Sequence, residues 1–107
     1  MIRANYKVDK LDNYTYLEVS GHADYDKYGK DLVCASVSSI IFGLMNCIDE
    51  CVGVSIRKED NHIEIINKSE SEKISDYLRL TIIQLKTIEE SYGKFIKVER
   101  KWVWNIY

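Results

Sequence analysis

The strongest constraint on this chain is a change in the spacing of its apolar residues, made twice along 107 residues. Ile2, Ala4, Tyr6 and Val8 alternate with Arg3, Asn5 and Lys7, the period-two pattern of a strand with one covered face. A polar turn at residues 10–13 follows. Residues 14–20 then read as the returning strand of a hairpin, with Thr15, Leu17 and Val19 on one side. From Asp31 the period lengthens. Val33, Val37, Ile40, Ile41, Leu44, Ile48 and Cys51 keep the i, i+4, i+7, i+8 spacing of an amphipathic helix. Gly53 ends that run, and Val54, Ile56, Ile63 and Ile65 return to period two across a polar turn at 58–61. Ser69 and Glu72 have capping-box spacing, which starts a helix just after Lys68. Ile74, Tyr77, Leu78, Thr81, Leu85 and Ile88 carry its stripe to a terminating Gly93. Residues 95–100 read as a last strand, and the aromatic tail 102–107 either prolongs it or docks on a partner.

The expected order is β-β-α-β-β-α-β: an α+β two-layer sandwich, two helices on one face of a mainly antiparallel sheet. With no proline and only five glycines, there is little room for linkers, so residues 1–107 are expected to form one domain. Gly43, inside the first helical run, weakens it by roughly 1 kcal/mol relative to alanine and suggests a close packing contact there. The length excludes two-lobed enzymes. Fifteen basic against seventeen acidic residues give a net charge of −2, which argues against direct nucleic-acid binding as the main task. Three cysteines cannot all pair with one another, which fits a reducing compartment better than a secreted disulfide scaffold. The alternating N-terminus has neither the apolar run of a signal peptide nor that of a membrane span. The expectation is a soluble cytoplasmic protein with no membrane partner.

One segment does not read as packing alone. Gly21-His22-Ala23 is followed by Gly29, Asp31, Cys34, Ala35 and Ser38. His22 stands where the second strand ends, and Cys34 in the first turn of the first helix. Strand ends and helix starts are where a rigid scaffold holds reactive groups at its surface. A cysteine acts as a nucleophile through its thiolate, which a helix N-terminus and a nearby imidazolium both favour. If His22 faces Cys34, the pair can form thiolate and imidazolium and return the proton to a leaving amine. Backbone amides of the helix start, that of Cys34 included, can stabilise an oxyanion.

Asp31 admits two readings. As an N-cap it satisfies a free amide but puts negative charge near Cys34. As an orienter of His22 it takes the third role of a triad. Ser38, one turn beyond Cys34, either supports the thiol or substrate or is a small residue at a crowded contact. Taken singly, a cysteine early in an amphipathic helix is usually a small buried hydrophobe. Cys47 and Cys51 are spaced i, i+4 with no further ligand nearby and read as structural, so no metal is expected. His62 lies in a hairpin strand far along the chain, and Trp102 and Trp104 read as packing residues.

At Gly21-His22-Ala23, Gly29, Asp31, Cys34-Ala35 and Ser38, the sequence resembles the bacterial ribosomal-processing cysteine proteases called Prp. The family's pattern is a Gly-His-Ala, a short loop, a Gly-x-Asp-x-x-Cys-Ala and a serine one turn later. The resemblance implies a cysteine endopeptidase with Cys34 as nucleophile, His22 as general base and acid, and Asp31 and Ser38 in supporting roles. The loop would shape the substrate site, with Gly21, Ala23, Tyr25, Tyr28, Gly29 and Ala35 as substrate-binding residues. It further implies a cofactor-free cytoplasmic homodimer. Its substrate would be the precursor of large-subunit ribosomal protein twenty-seven, from which an N-terminal extension is removed after an aromatic pair. Two other classes compete with this reading. One is a non-catalytic ribosome-assembly or peptide-binding module; the other is a redox or acyl-transfer thiol protein, which the absence of a Cys-x-x-Cys disfavours.

Overall fold

The computed structural model describes residues 1–21 and 30–102, with Lys30 and Asp31 described in their backbone only. The elements are β1 (Ile2–Val8), β2 (Tyr14–Ser20), α1 (Lys30–Ile48), β3 (Val54–Glu59), β4 (His62–Asn67), α2 (Glu72–Tyr92) and β5 (Ile96–Arg100). The strands form one sheet of order β3-β4-β2-β1-β5. Three pairings are antiparallel, while β1 and β5 run parallel. This is the expected two-layer α+β order, with a mixed sheet.

Alternation along each strand decides which side is covered. Ile2, Ala4, Tyr6, Leu17, Val19, Ile65, Ile96 and Val98 are buried on one face. They join Val33, Val37, Ile41, Leu44 and Ile48 of α1 and Leu78, Ile82 and Leu85 of α2 in a single core. The opposite sheet face is polar. There His62 Nε2 and Glu18 Oε2 lie 2.7 Å apart, Asn5 donates to Glu18 Oε1 at 3.1 Å, and Tyr16 donates its hydroxyl to Glu64 at 2.9 Å.

The polar groups that the helices cover are paired. The Ser75 hydroxyl accepts from Tyr14 N at 2.8 Å, and Asn67 donates its amide to Tyr14 O at 3.0 Å. Among the described residues, no buried side-chain nitrogen or oxygen lacks a partner, as burial at low dielectric requires.

Several boundaries differ from the sequence reading, each for a local reason. Helix α1 begins at Lys30, so Asp31 stands inside its first turn and is not its N-cap. Helix α2 is capped by Ser71, whose hydroxyl accepts from Ile74 N. Ser69 is instead held by Asn67, which accepts both its amide and its hydroxyl; the capping box was read one serine too early. Gly93 does cap α2, but at a right-handed φ of −60°. Cys51 lies beyond the end of α1, and β5 begins at Ile96. Gly43 marks no close contact, since a Cβ there would meet nothing within 4 Å. No described helix is long and apolar enough to cross a membrane.

Candidate active site

A cleft of about 250 Å³ lies between α1 and the ends of β1, β2 and the β3–β4 hairpin. One wall is a face of α1. Cys34, Ser38 and Phe42 recur at i, i+4 and i+8 and all line the cleft, as helical geometry demands of that spacing. Val37 and Ile41, one position earlier on the same stripe, turn into the core and form the floor with Ile2, Val19 and Ile63. Lys58, Glu59, Asn61 and His62 close the far rim. The Lys58 ammonium stands 4.7 Å from the centroid of the Phe42 ring, bridging hairpin and helix over the cleft.

Cys34 is half-buried, packed against the core on one side and open to the cleft on the other. It is a free thiol, as are exposed Cys47 and half-buried Cys51, neither of which lines this cleft. With α1 starting at Lys30, Cys34 opens the second helical turn. Its amide therefore enters the i→i−4 ladder toward the Lys30 carbonyl. The free donors of this helix end precede residue 33.

Gly21 directly follows the end of β2. Its φ is +87°, a conformation that side chains resist, and a Cβ there would run into the Met1 carbonyl oxygen. Its amide donates to Asn61 O at 3.0 Å. That bond ties the exit of β2 to the tip of the β3–β4 hairpin, so the two walls of the cleft are joined next to residue 22.

The structure therefore brings Gly21, Cys34 and Ser38 together. Ala35 is rotated off that face and lines a separate groove between the helices with Gln84, Thr87 and Ile88. His22, Ala23, Tyr25, Tyr28 and Gly29 lie outside the described residues, as do the Asp31 side chain and Trp104.

The sequence reading missed Phe42, Lys58, Glu59, Asn61 and His62. Helical spacing from Cys34 points to Phe42. The hairpin residues carry no local signal, because only the strand order β3-β4-β2 sets them beside the end of β2. His62 is distant in sequence but pairs with Ser20 across β2 and β4. Its ring is held by Glu18, whose carboxyl this hydrogen bond keeps below the usual carboxylate range against the opposing effect of burial. Among the described residues no cluster of His, Cys, Asp or Glu is arranged to hold a metal ion.

Comparison with known proteins gives a consistent result. The family model described as cysteine protease Prp matches residues 1–97. The ribosomal processing cysteine protease Prp of Staphylococcus aureus is 33% identical, covering 94% of this chain and 100% of the relative. Its Mycoplasma pneumoniae counterpart is 36% identical over 78% of this chain and 84% of the relative. A crystal structure of the S. aureus protease with a covalently linked product peptide matches at a TM-score of 0.84 and 30% identity, over 94% of this chain and 100% of that one. A second, with a substrate peptide, matches at 0.84 and 29% over the same shares.

Proposed function

Because the chain belongs to the Prp family of cysteine proteases, we propose that it is an endopeptidase that cleaves a ribosomal protein precursor through Cys34. The observation that carries this reading is positional. Of the three cysteines, Cys34 lines the cleft, on a helix face shared with Ser38 and against the strand end that leads into His22.

In this mechanism the Cys34 thiolate attacks the scissile carbonyl carbon and forms a tetrahedral oxyanion. Amides at the start of α1 ahead of residue 33 are the nearest helix donors for that charge. Collapse breaks the C–N bond, and protonated His22 gives its proton to the departing amine, leaving a thioester on Cys34. Water, deprotonated by His22, then attacks the thioester and releases the N-terminal fragment as a carboxylic acid with the free thiol. Asp31 orients His22, and Ser38 contacts the thiol or the substrate carbonyl. The covalently linked product peptide in the S. aureus relative supports a covalent step.

By the family resemblance, the substrate is the precursor of large-subunit ribosomal protein twenty-seven, cut after an aromatic pair by a cytoplasmic homodimer. The apolar cleft floor and the Phe42 ring favour an aromatic side chain next to the scissile bond. Exposed Leu32, Leu80 and Ile83 on the helix layer favour a second copy there.

The test is cleavage of the precursor peptide followed by mass spectrometry. Parent protein and the Cys47→Ser variant should release the N-terminal extension, whereas Cys34→Ala and His22→Ala should not. Peptide binding that survives Cys34→Ser, with no product from the parent, would instead support the non-catalytic module.

A further inference from the structure

The end of the sheet away from the cleft carries a second, larger groove, an open space of about 760 Å³ beside the β1–β2 turn and the end of β5. β1 runs from Ile2 in the Cys34 cleft to Val8 in this groove. At about 3.3 Å per residue, the two sites are separated by about 20 Å.

The chemistry of the groove is unlike that of the chain as a whole. Lys7, Lys10 and Arg100 line it against a single carboxylate, Asp9. That carboxylate is engaged within its own turn, where Oδ1 accepts from Leu11 N at 2.8 Å and Asn13 N at 3.0 Å. Neighbouring Glu99 is paired on its other sides by Arg3 at 3.8 Å and Lys101 at 3.6 Å. A local excess of positive charge thus sits on a chain of net charge −2, which the overall charge conceals.

The groove also has a flat apolar platform. Trp102 is 68% exposed, with the Arg100 guanidinium 3.8 Å from its ring centroid. Leu11, 81% exposed, stands on the opposite lip. Lys101 N donates to Tyr6 O at 2.8 Å, which carries the β1–β5 pairing up to the residue before Trp102. Cations spaced along an open groove beside an exposed indole match a polyanion that carries planar rings.

We propose that this groove binds single-stranded RNA, with phosphates on Lys7, Lys10 and Arg100 and a base stacked on Trp102. An acidic peptide would satisfy the cations but would leave the indole face opposite the Arg100 guanidinium without a planar partner.

Fluorescence anisotropy of a labelled oligouridine of about ten nucleotides, a typical site size for one small domain, tests this. Binding should weaken with salt at a log–log slope near −2, as expected for about three phosphate contacts on a single strand. Trp102→Ala should weaken it about tenfold or more, equivalent to about 1.4 kcal/mol of lost stacking. Lys10→Gln, at an exposed turn, should flatten the slope by about 0.7. Both variants should keep the parent's circular dichroism and its peptide cleavage. Three outcomes would each overturn the proposal: no binding at low salt, full binding by Trp102→Ala, or displacement by oligoglutamate as readily as by unlabelled RNA.

Discussion

Replacing Gly21 with alanine probes the joint on which the cleft depends. The residue sits at φ +87°, where a Cβ costs about 1–2 kcal/mol. The new methyl also meets the Met1 carbonyl oxygen, and displacing packed backbone costs about 1–3 kcal/mol more. Restricting the unfolded chain offsets roughly 0.4–1 kcal/mol of this. The net loss is about 1–5 kcal/mol, a sizeable part of the roughly 5–15 kcal/mol that holds a domain folded. At about 4 °C per kcal/mol for a chain of this length, Tm should fall by about 4–20 °C. Gly43→Ala is the matched control. Its Cβ meets nothing within 4 Å, so helix propensity alone decides, and Tm should rise by about 4 °C, or about 1 kcal/mol. Calorimetric melts of the two variants decide the matter. The reasoning is refuted if Gly21→Ala melts within about 2 °C of the parent, or if both substitutions shift Tm in the same direction.

Three further outcomes are expected. His22→Ala should lower cleavage by about 10²–10⁴-fold, the usual worth of general acid–base catalysis, while His62→Ala retains most of it. The reverse result would make the Glu18-bound ring the base. Phe42→Ala, two turns from Cys34 on the cleft wall, should raise KM more than it lowers kcat, because it removes binding surface and no reacting group; a pure kcat defect would contradict this. The His62 hydrogen bond holds the Glu18 carboxyl below its usual range. Ionised Glu18 therefore stabilises the fold above its unfolded pKa, and this contribution is lost as pH falls through the folded value. The Tm difference between parent and Glu18→Gln should shrink from about pH 6 to about pH 3, and a constant difference would show that the pair does not stabilise the fold.

Most of the architecture was legible because covered faces impose a period. Ile2, Ala4, Tyr6, Leu17, Val19 and Ile65 alternate for no other reason than burial on one sheet face, and the stripes of α1 and α2 follow the same logic. The helix start at Ser71 was misread because Ser69 and Ser71 both satisfy local capping patterns, and only Asn67, arriving from β4, claims Ser69. Half of the cleft was legible. Cys34 and Ser38 share a helix face by spacing, and Gly21 stands at a strand end in the Gly-His-Ala motif. The other half comes from Lys58, Asn61 and His62, whose proximity depends on β4 pairing with β2. No local sequence pattern encodes that pairing. Gly43 taught the opposite lesson, since a glycine in a helix invites a packing explanation that this exposed position does not need.

The central claim is that Cys34 carries the acyl group of the substrate. Intact-protein mass spectrometry of an acid-quenched reaction with the precursor peptide tests it most directly. The account predicts an adduct equal to the N-terminal fragment less water, mapped after digestion to Cys34, and neither adduct nor product with Cys34→Ala. An adduct on Cys47 or Cys51, or undiminished cleavage by Cys34→Ala, would contradict it.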